Sequence, residues 1–135
     1  MIEETCRFFK EHGKTVIFDA EHFFDGYQAS PDFALEVLRA AKRGGARILT
    51  LCDTNGGMIP CDIFAISTQI CASFPDTEIG MHAHDDCGMA LGQFRLRHTG
   101  RRFPCAGHIP RGLGSAPATQ TFPLSSQRYS SNVGF

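Results

Sequence analysis

The sequence predicts an α/β fold built on a parallel sheet. Three observations predict it: short apolar runs at residues 15–20, 46–53 and 77–84; segments of helical periodicity between them; and turn residues at each junction. Runs that are apolar nearly throughout, joined by helices, imply parallel strands covered on both sides.

Residues 1–12 form the end of a helix, with Ile2, Cys6 and Phe9 on one face and Gly13 as its stop. TVIFDA (15–20) is a buried strand, and HFFDGYQAS (22–30) follows as a loop. Ser30 and Pro31 suit the N-cap and first turn of a helix that carries Phe33, Leu35, Val37, Leu38 and Ala41. Gly44 and Gly45 end that helix. ARILTLCD (46–53) is a second buried strand, and Thr54–Gly57 a turn. A helix starting near Pro60 uses Ile63, Phe64, Ile66 and Ile70, and Pro75 breaks it. TEIGMHAH (77–84) is the third strand.

The chain has 135 residues, enough for one domain or a piece of one. It is 42% hydrophobic and 20% charged, as soluble globular chains are. No apolar run reaches the ~18 residues of a membrane span, and the first residues are too polar for a signal peptide, so a cytoplasmic location is expected. The six cysteines have no CxxC pair and read as reduced thiols. The net charge of −1 conceals a division. All 14 acidic residues and 7 basic ones fall in residues 1–91; residues 92–135 have six Arg and no Asp, Glu or Lys. With 6 Gly, 4 Pro and 5 Ser, that tail is ill suited to burying a core. Its arginines are dispersed, which argues against nucleic-acid binding.

In parallel α/β sheets ligands gather at the carboxyl ends of the strands. Asp19 and Glu21, Asp53 and Thr54, and His82 and His84 all lie there. His82 and His84 are two apart in a strand, so their imidazoles leave one face, roughly 6.5–7 Å apart along the backbone. They can converge on one divalent cation, with Asp85 and Asp86 as acceptors orienting the rings. Taken alone, the pattern also suits two loop histidines. Glu21 suits acid–base chemistry or substrate binding, or equally a solvated loop. Thr54 offers a hydroxyl, or serves as a turn residue. Cys52 and Cys87 have no partner pattern of a nucleophile and read as passive.

The segments KTVIFDAEHFFDGYQASPDFALEVLRAA, LCDTNGGMIP and IGMHAHDDCGMAL resemble the citramalate synthases. These belong to a family of metal-dependent acyltransferases and lyases that includes isopropylmalate synthase, homocitrate synthase and hydroxymethylglutaryl-CoA lyase. The resemblance covers residues 1–91 and implies a partial (β/α)8 TIM barrel, about its fifth to seventh strands, with an irregular tail at 92–135. It implies condensation of acetyl-CoA with pyruvate or another 2-keto acid, a divalent metal (Mn, Mg or Zn), and a homo-oligomeric parent in branched-chain amino-acid (isoleucine) biosynthesis. It also implies His82 and His84 as metal ligands, Glu21 as a carboxylate in the substrate pocket and Thr54 as a hydroxyl near the keto acid's carboxylate. The family's metal-ligating aspartate of the first strand and its asparagine motif of the eighth are not readable here. Isopropylmalate or homocitrate synthase, and a non-catalytic metal-binding module, are the alternatives.

The tail has the character of a shifted reading frame. Dropping one base from codons that can encode residues 92–96 permits Ala-Asn-Ser-Val-Ser, the family's next helix. The same frame over residues 104–109 permits Val-Gln-Gly-Thr. A further base over residues 114–124 permits Glu-Arg-Ser-Gly-Asn-Ala-Asn-Leu, the missing motif. Two single-base changes, near codons 92 and 112, account for all three.

Overall fold

A computed structural model describes residues 1–84, 86 and 87, and the backbone of 119–120. In chain order the elements are α1 (Ile2–Glu11), β1 (Ile17–Ala20), α2 (Phe23–Ala29), α3 (Pro31–Arg43), β2 (Ile48–Asp53), α4 (Pro60–Ser73), β3 (Glu78–His84) and β4 (Thr119–Gln120). The sheet order is β1-β2-β3-β4. β1, β2 and β3 are mutually parallel, with Ile17 opposite Ile48 and Ile48 opposite Glu78. β4 pairs antiparallel with Ala83 and His84, where the sequence leads one to expect irregular chain. The other tail residues, and the alternative-frame segments among them, lie outside the described residues.

Side-chain alternation divides the sheet into a packing face and a polar one. Ala20, Leu49, Leu51, Ile79, Met81 and Ala83 join the helices' Phe23, Phe24, Leu38, Ala41, Ile63 and Ile70 in one core. Ile48, Thr50 and Cys52 point the other way; they are buried, yet outside that core. A Cβ added at Gly80 would lie 3.2 Å from Thr50 Oγ1 and 3.5 Å from Ile48 Cγ2, which fixes Gly80 on the same face. Among the described residues the helices therefore cover one face, not both. The run ILTLC hides this, because its alternate members are apolar or small on both sides.

Three further expectations are corrected. Residues 22–30 are not a loop, since α2 occupies most of them. Phe23, Phe24 and Tyr27 fall at helical spacing, Phe24 is fully buried, and the Tyr27 hydroxyl donates to Gln69 Oε1 of α4 at 2.8 Å. β1 is only partly buried, with Ile17 40% exposed, because no described strand pairs with its outer edge. Phe9 and Phe33, expected on buried faces, are exposed, and the inward positions fall to Cys6 and Ala34. Ser30 is the N-cap of α3 and Pro31 its first residue, but the Ser30 hydroxyl makes no capping bond.

Small residues and one arginine join α1 to α3. A Cβ at Gly44 would lie 2.5 Å from Glu3 O and 2.6 Å from Cys6 Cβ, so the helices meet where a side chain is missing. Arg43 bonds Glu3 and Glu36, each at 2.8 Å, and Arg7 also pairs with Glu3. These arginines, Arg43 first, hold the Glu3 carboxyl below its ordinary range. Cys6, Cys52, Cys61 and Cys87 are free thiols; Cys71, also expected as a thiol, is disulfide-bonded. No helix among the described residues is long and apolar enough to cross a membrane.

Leu38 and Phe33 lie on the same helix with opposite surroundings. Leu38→Ala leaves a cavity in the core and is expected to cost about 2–5 kcal/mol in denaturant unfolding. Phe33→Ala, at a side chain 69% exposed, should change stability by no more than about 0.5 kcal/mol.

Candidate functional site

Because β1, β2 and β3 run parallel, their carboxyl ends lie along one edge of the sheet. Glu21 directly follows β1, Thr54 directly follows β2, and His82 and His84 lie in the last three residues of β3. All four residues picked out in the sequence thus reach the same edge.

Glu21 and Thr54 are joined. The Thr54 hydroxyl donates to Glu21 Oε2 at 2.7 Å and accepts from the backbone N–H of His22 at 2.8 Å. His22 stands in the left-handed region at φ 55. One residue further on, Asn55 Nδ2 donates to Asp25 Oδ2 at 2.8 Å, and the His22 ring lies 3.4 Å from the same oxygen. The segment after β1, including the first turn of α2, is therefore tied to the loop after β2 at two points. A hydroxyl has one proton. Thr54 uses it on Glu21, so donating to a substrate carboxylate would first break that bond.

The second cluster spans three strands. Cys52 stands opposite His82 in the register, and Asp19 is two positions nearer the sheet's amino end on β1, opposite Thr50. The Asp19 carboxylate, the Cys52 thiol and a His82 ring nitrogen lie within 4.8 Å of one another. His82 Nε2 is buried and has no hydrogen-bond partner among the described residues. Burial raises the Cys52 thiol well above its ordinary range, and the charges of Asp19 and Glu21 raise it further. Among the described residues, its sulfur makes a long 3.9 Å contact with Thr50 O.

The expected ligand pair is thus only partly assembled. The His84 ring centroid is 5.1 Å from that of His82, with the planes at 47°, but His84 is not in the close cluster. Asp86 is exposed and makes no hydrogen bond to either ring among the described residues; Asp85 lies outside them. Asp53, which the sequence places among the polar strand ends, instead faces the helices. It is 1% exposed and accepts from the Met58 N–H at 3.3 Å. Cys52 is the member the sequence reading set aside, and Asp19 was noted only as one of several polar strand ends. The signal for both was the parallel register, which a single strand cannot reveal.

A divalent cation suits this donor set. A buried imidazole nitrogen without a partner is costly unless something binds it, and a carboxylate oxygen lies within reach.

Gly56 holds the loop after β2 against β3. Its φ is +62, and a Cβ there would lie 2.8 Å from His84 O and 3.0 Å from Asp86 N. Only glycine meets both conditions without strain.

The chain matches the HMGL-like family over residues 1–97 and belongs to it. The family's fold is a (β/α)8 barrel, and three parallel strands with helices on one face are consistent with part of one. The (R)-citramalate synthase of Aquifex aeolicus is 50% identical over 91 residues, which cover 67% of this chain and 17% of that protein. The (R)-citramalate synthase of Synechocystis is 43% identical over 103 residues, covering 71% and 19%. The homocitrate synthase of Sulfolobus acidocaldarius is 36% identical over 90 residues, covering 67% and 19%. The chain spans less than a fifth of the length of these relatives.

Two outcomes test the geometry. Gly56→Ala should destabilise the chain by about 1–3 kcal/mol and shift the His84 and Asp86 amide resonances. Gly57→Ala, with open space around its Cβ, should leave those resonances in place. In timed alkylation read by mass spectrometry, the exposed Cys61 and Cys87 should react in the folded chain, and Cys52 only after unfolding.

Proposed function

We propose that the chain is the part of a citramalate synthase barrel that carries its acid–base carboxylate and two of its metal ligands, as about the fifth to seventh strands. The observation that carries this reading is the Glu21 carboxylate, held by Thr54 at 2.7 Å on the same sheet edge as the His82 cluster. The likeness to two citramalate synthases supports it. The reaction condenses acetyl-CoA with pyruvate and then hydrolyses the thioester, giving citramalate and free CoA.

Each residue has a part that its position supports. Glu21 is the base that takes a proton from the acetyl methyl group. Thr54 occupies Oε2 and leaves Oε1 to act, so the carboxylate is oriented before substrate arrives. His22, next to Glu21, holds Thr54 through a backbone amide, which no substitution at His22 other than proline removes. His82 and His84 would hold the divalent metal, and Asp85 and Asp86 would serve as acceptors for their rings, a contact that Asp86 does not make in the described structure. When bound, the metal supplies Lewis acidity towards the keto acid's carbonyl oxygen. Mn, Mg and Zn suit imidazole and oxygen donors to differing degrees.

The full-length parent acts as a cytoplasmic homo-oligomer in isoleucine biosynthesis, and the tail at residues 92–135 is read from shifted frames. The family match ends at residue 97, shortly after the first of the two proposed base changes. Resequencing the stretch is expected to find the two base changes; an unaltered sequence with functional expression would count against them.

The test of function is a barrel completed with the flanking coding sequence and assayed for CoA thiol release. Turnover is expected with pyruvate ahead of 2-oxoisovalerate and 2-oxoglutarate. Glu21→Gln should lower kcat by about 10²–10⁴-fold. Preference for 2-oxoglutarate would move the assignment to homocitrate synthase, which the Sulfolobus relative represents. The 135-residue chain alone is expected to show no turnover.

A further inference from the structure

We propose that Asp25 is a positioning residue for the Glu21 base, acting through Asn55 and His22. The inference rests on the reading of Glu21 given above and extends it by one residue on α2.

A closed ring of contacts surrounds the base. Glu21 and His22 are consecutive in the chain, and so are Thr54 and Asn55. The Thr54 hydroxyl joins the first members of the two pairs. Asp25 joins the second members: its Oδ2 accepts from Asn55 Nδ2 at 2.8 Å and lies 3.4 Å from His22 Nδ1. The bond that holds the base is thus matched by a link one residue further out. β1 gives Glu21 little support of its own, being four residues long with no described strand on its outer edge. The direction of the Glu21 carboxylate therefore depends on Thr54, and the place of Thr54 depends on Asn55 beside it.

This is not an ordinary helix cap. His22 is the N-cap of α2 and Asp25 its third residue, the places of a capping box, in which the third side chain reaches back to the N-cap amide. Here Thr54 Oγ1 takes that amide, which leaves the Asp25 carboxylate for Asn55. The arrangement holds His22 at φ 55, the one positive φ outside glycine among the described residues. Such a conformation is uncommon and persists where the surroundings impose it. The side chains of His22 and Asp25 are both about half exposed, so their contacts add little to stability. Their effect falls on geometry instead.

The experiment has two arms. In the completed barrel with pyruvate, Asp25→Ala and Asn55→Ala should each lower kcat about tenfold or more and leave KM within about threefold, since a misplaced base slows the chemistry without removing substrate contacts. The double variant should be no slower than the slower single one, because both remove the same bond. Asp25→Asn, which keeps an acceptor oxygen, should recover most of the lost kcat. In the 135-residue chain, amide hydrogen exchange at His22 should quicken about tenfold in Asp25→Ala with the unfolding midpoint unchanged. Asn55→Ala carries this arm should Asp25→Ala fail to fold. Unaltered exchange at His22 overturns the brace. Faster exchange with kcat unaltered, single effects that multiply in the double variant, or no recovery in Asp25→Asn overturns its role towards Glu21. Turnover absent from the unsubstituted barrel overturns the reading of Glu21, and this inference with it.

Discussion

The parallel register of β2 between its two neighbours is the constraint on which the rest depends. All six of its residues are buried. Its hydrogen bonds align Asp19 with Thr50 on one side and Cys52 with His82 on the other. A slip of one residue would exchange the two faces of the strand. Leu49 and Leu51 would leave the helix core, and Cys52 would turn away from Asp19 and His82. Packing and chemistry are thus fixed by the same hydrogen-bond ladder.

The two faces divide the labour. Towards the helices the strands offer Leu, Ile, Met and Ala, closed by Phe24, Leu38 and Ile63. Away from them they offer Asp19, Thr50, Cys52 and His82 in a connected patch. Just beyond the strand ends, Glu21 and Thr54 bond each other, and Asn55 bonds Asp25 in the first turn of α2. Gly56 brings that loop against the backbone of His84. The rigid part of the fold sets the direction of each group, and the loops set its separation from the next.

Much of this was legible in the sequence, and the gaps have physical reasons. The three strands and the helices α1, α3 and α4 follow from apolar runs, periodicity, Pro31, Pro60 and Pro75. Glu21, Thr54, His82 and His84 were found because strand ends are where parallel sheets put polar groups. α2 was missed because Gly26 and a polar surround obscured the helical spacing of Phe23, Phe24 and Tyr27. The facing of Asp53 was misjudged, since a residue at the end of a fully buried strand gives no local sign of which face it takes. The approach of Asp19 to Cys52 and His82 was invisible for a different reason. It depends on register between strands some thirty residues apart, and no local pattern encodes that.

The central claim is that parallel register makes one sheet edge a cation site centred on His82. Paramagnetic broadening by manganese in the isotopically labelled chain tests it most directly. The account predicts loss of amide signals confined to the carboxyl ends of β1, β2 and β3, with the signals returning in His82→Ala. Broadening centred instead on Glu3, Glu4 and Glu11 of α1, or a pattern unchanged by His82→Ala, would contradict it.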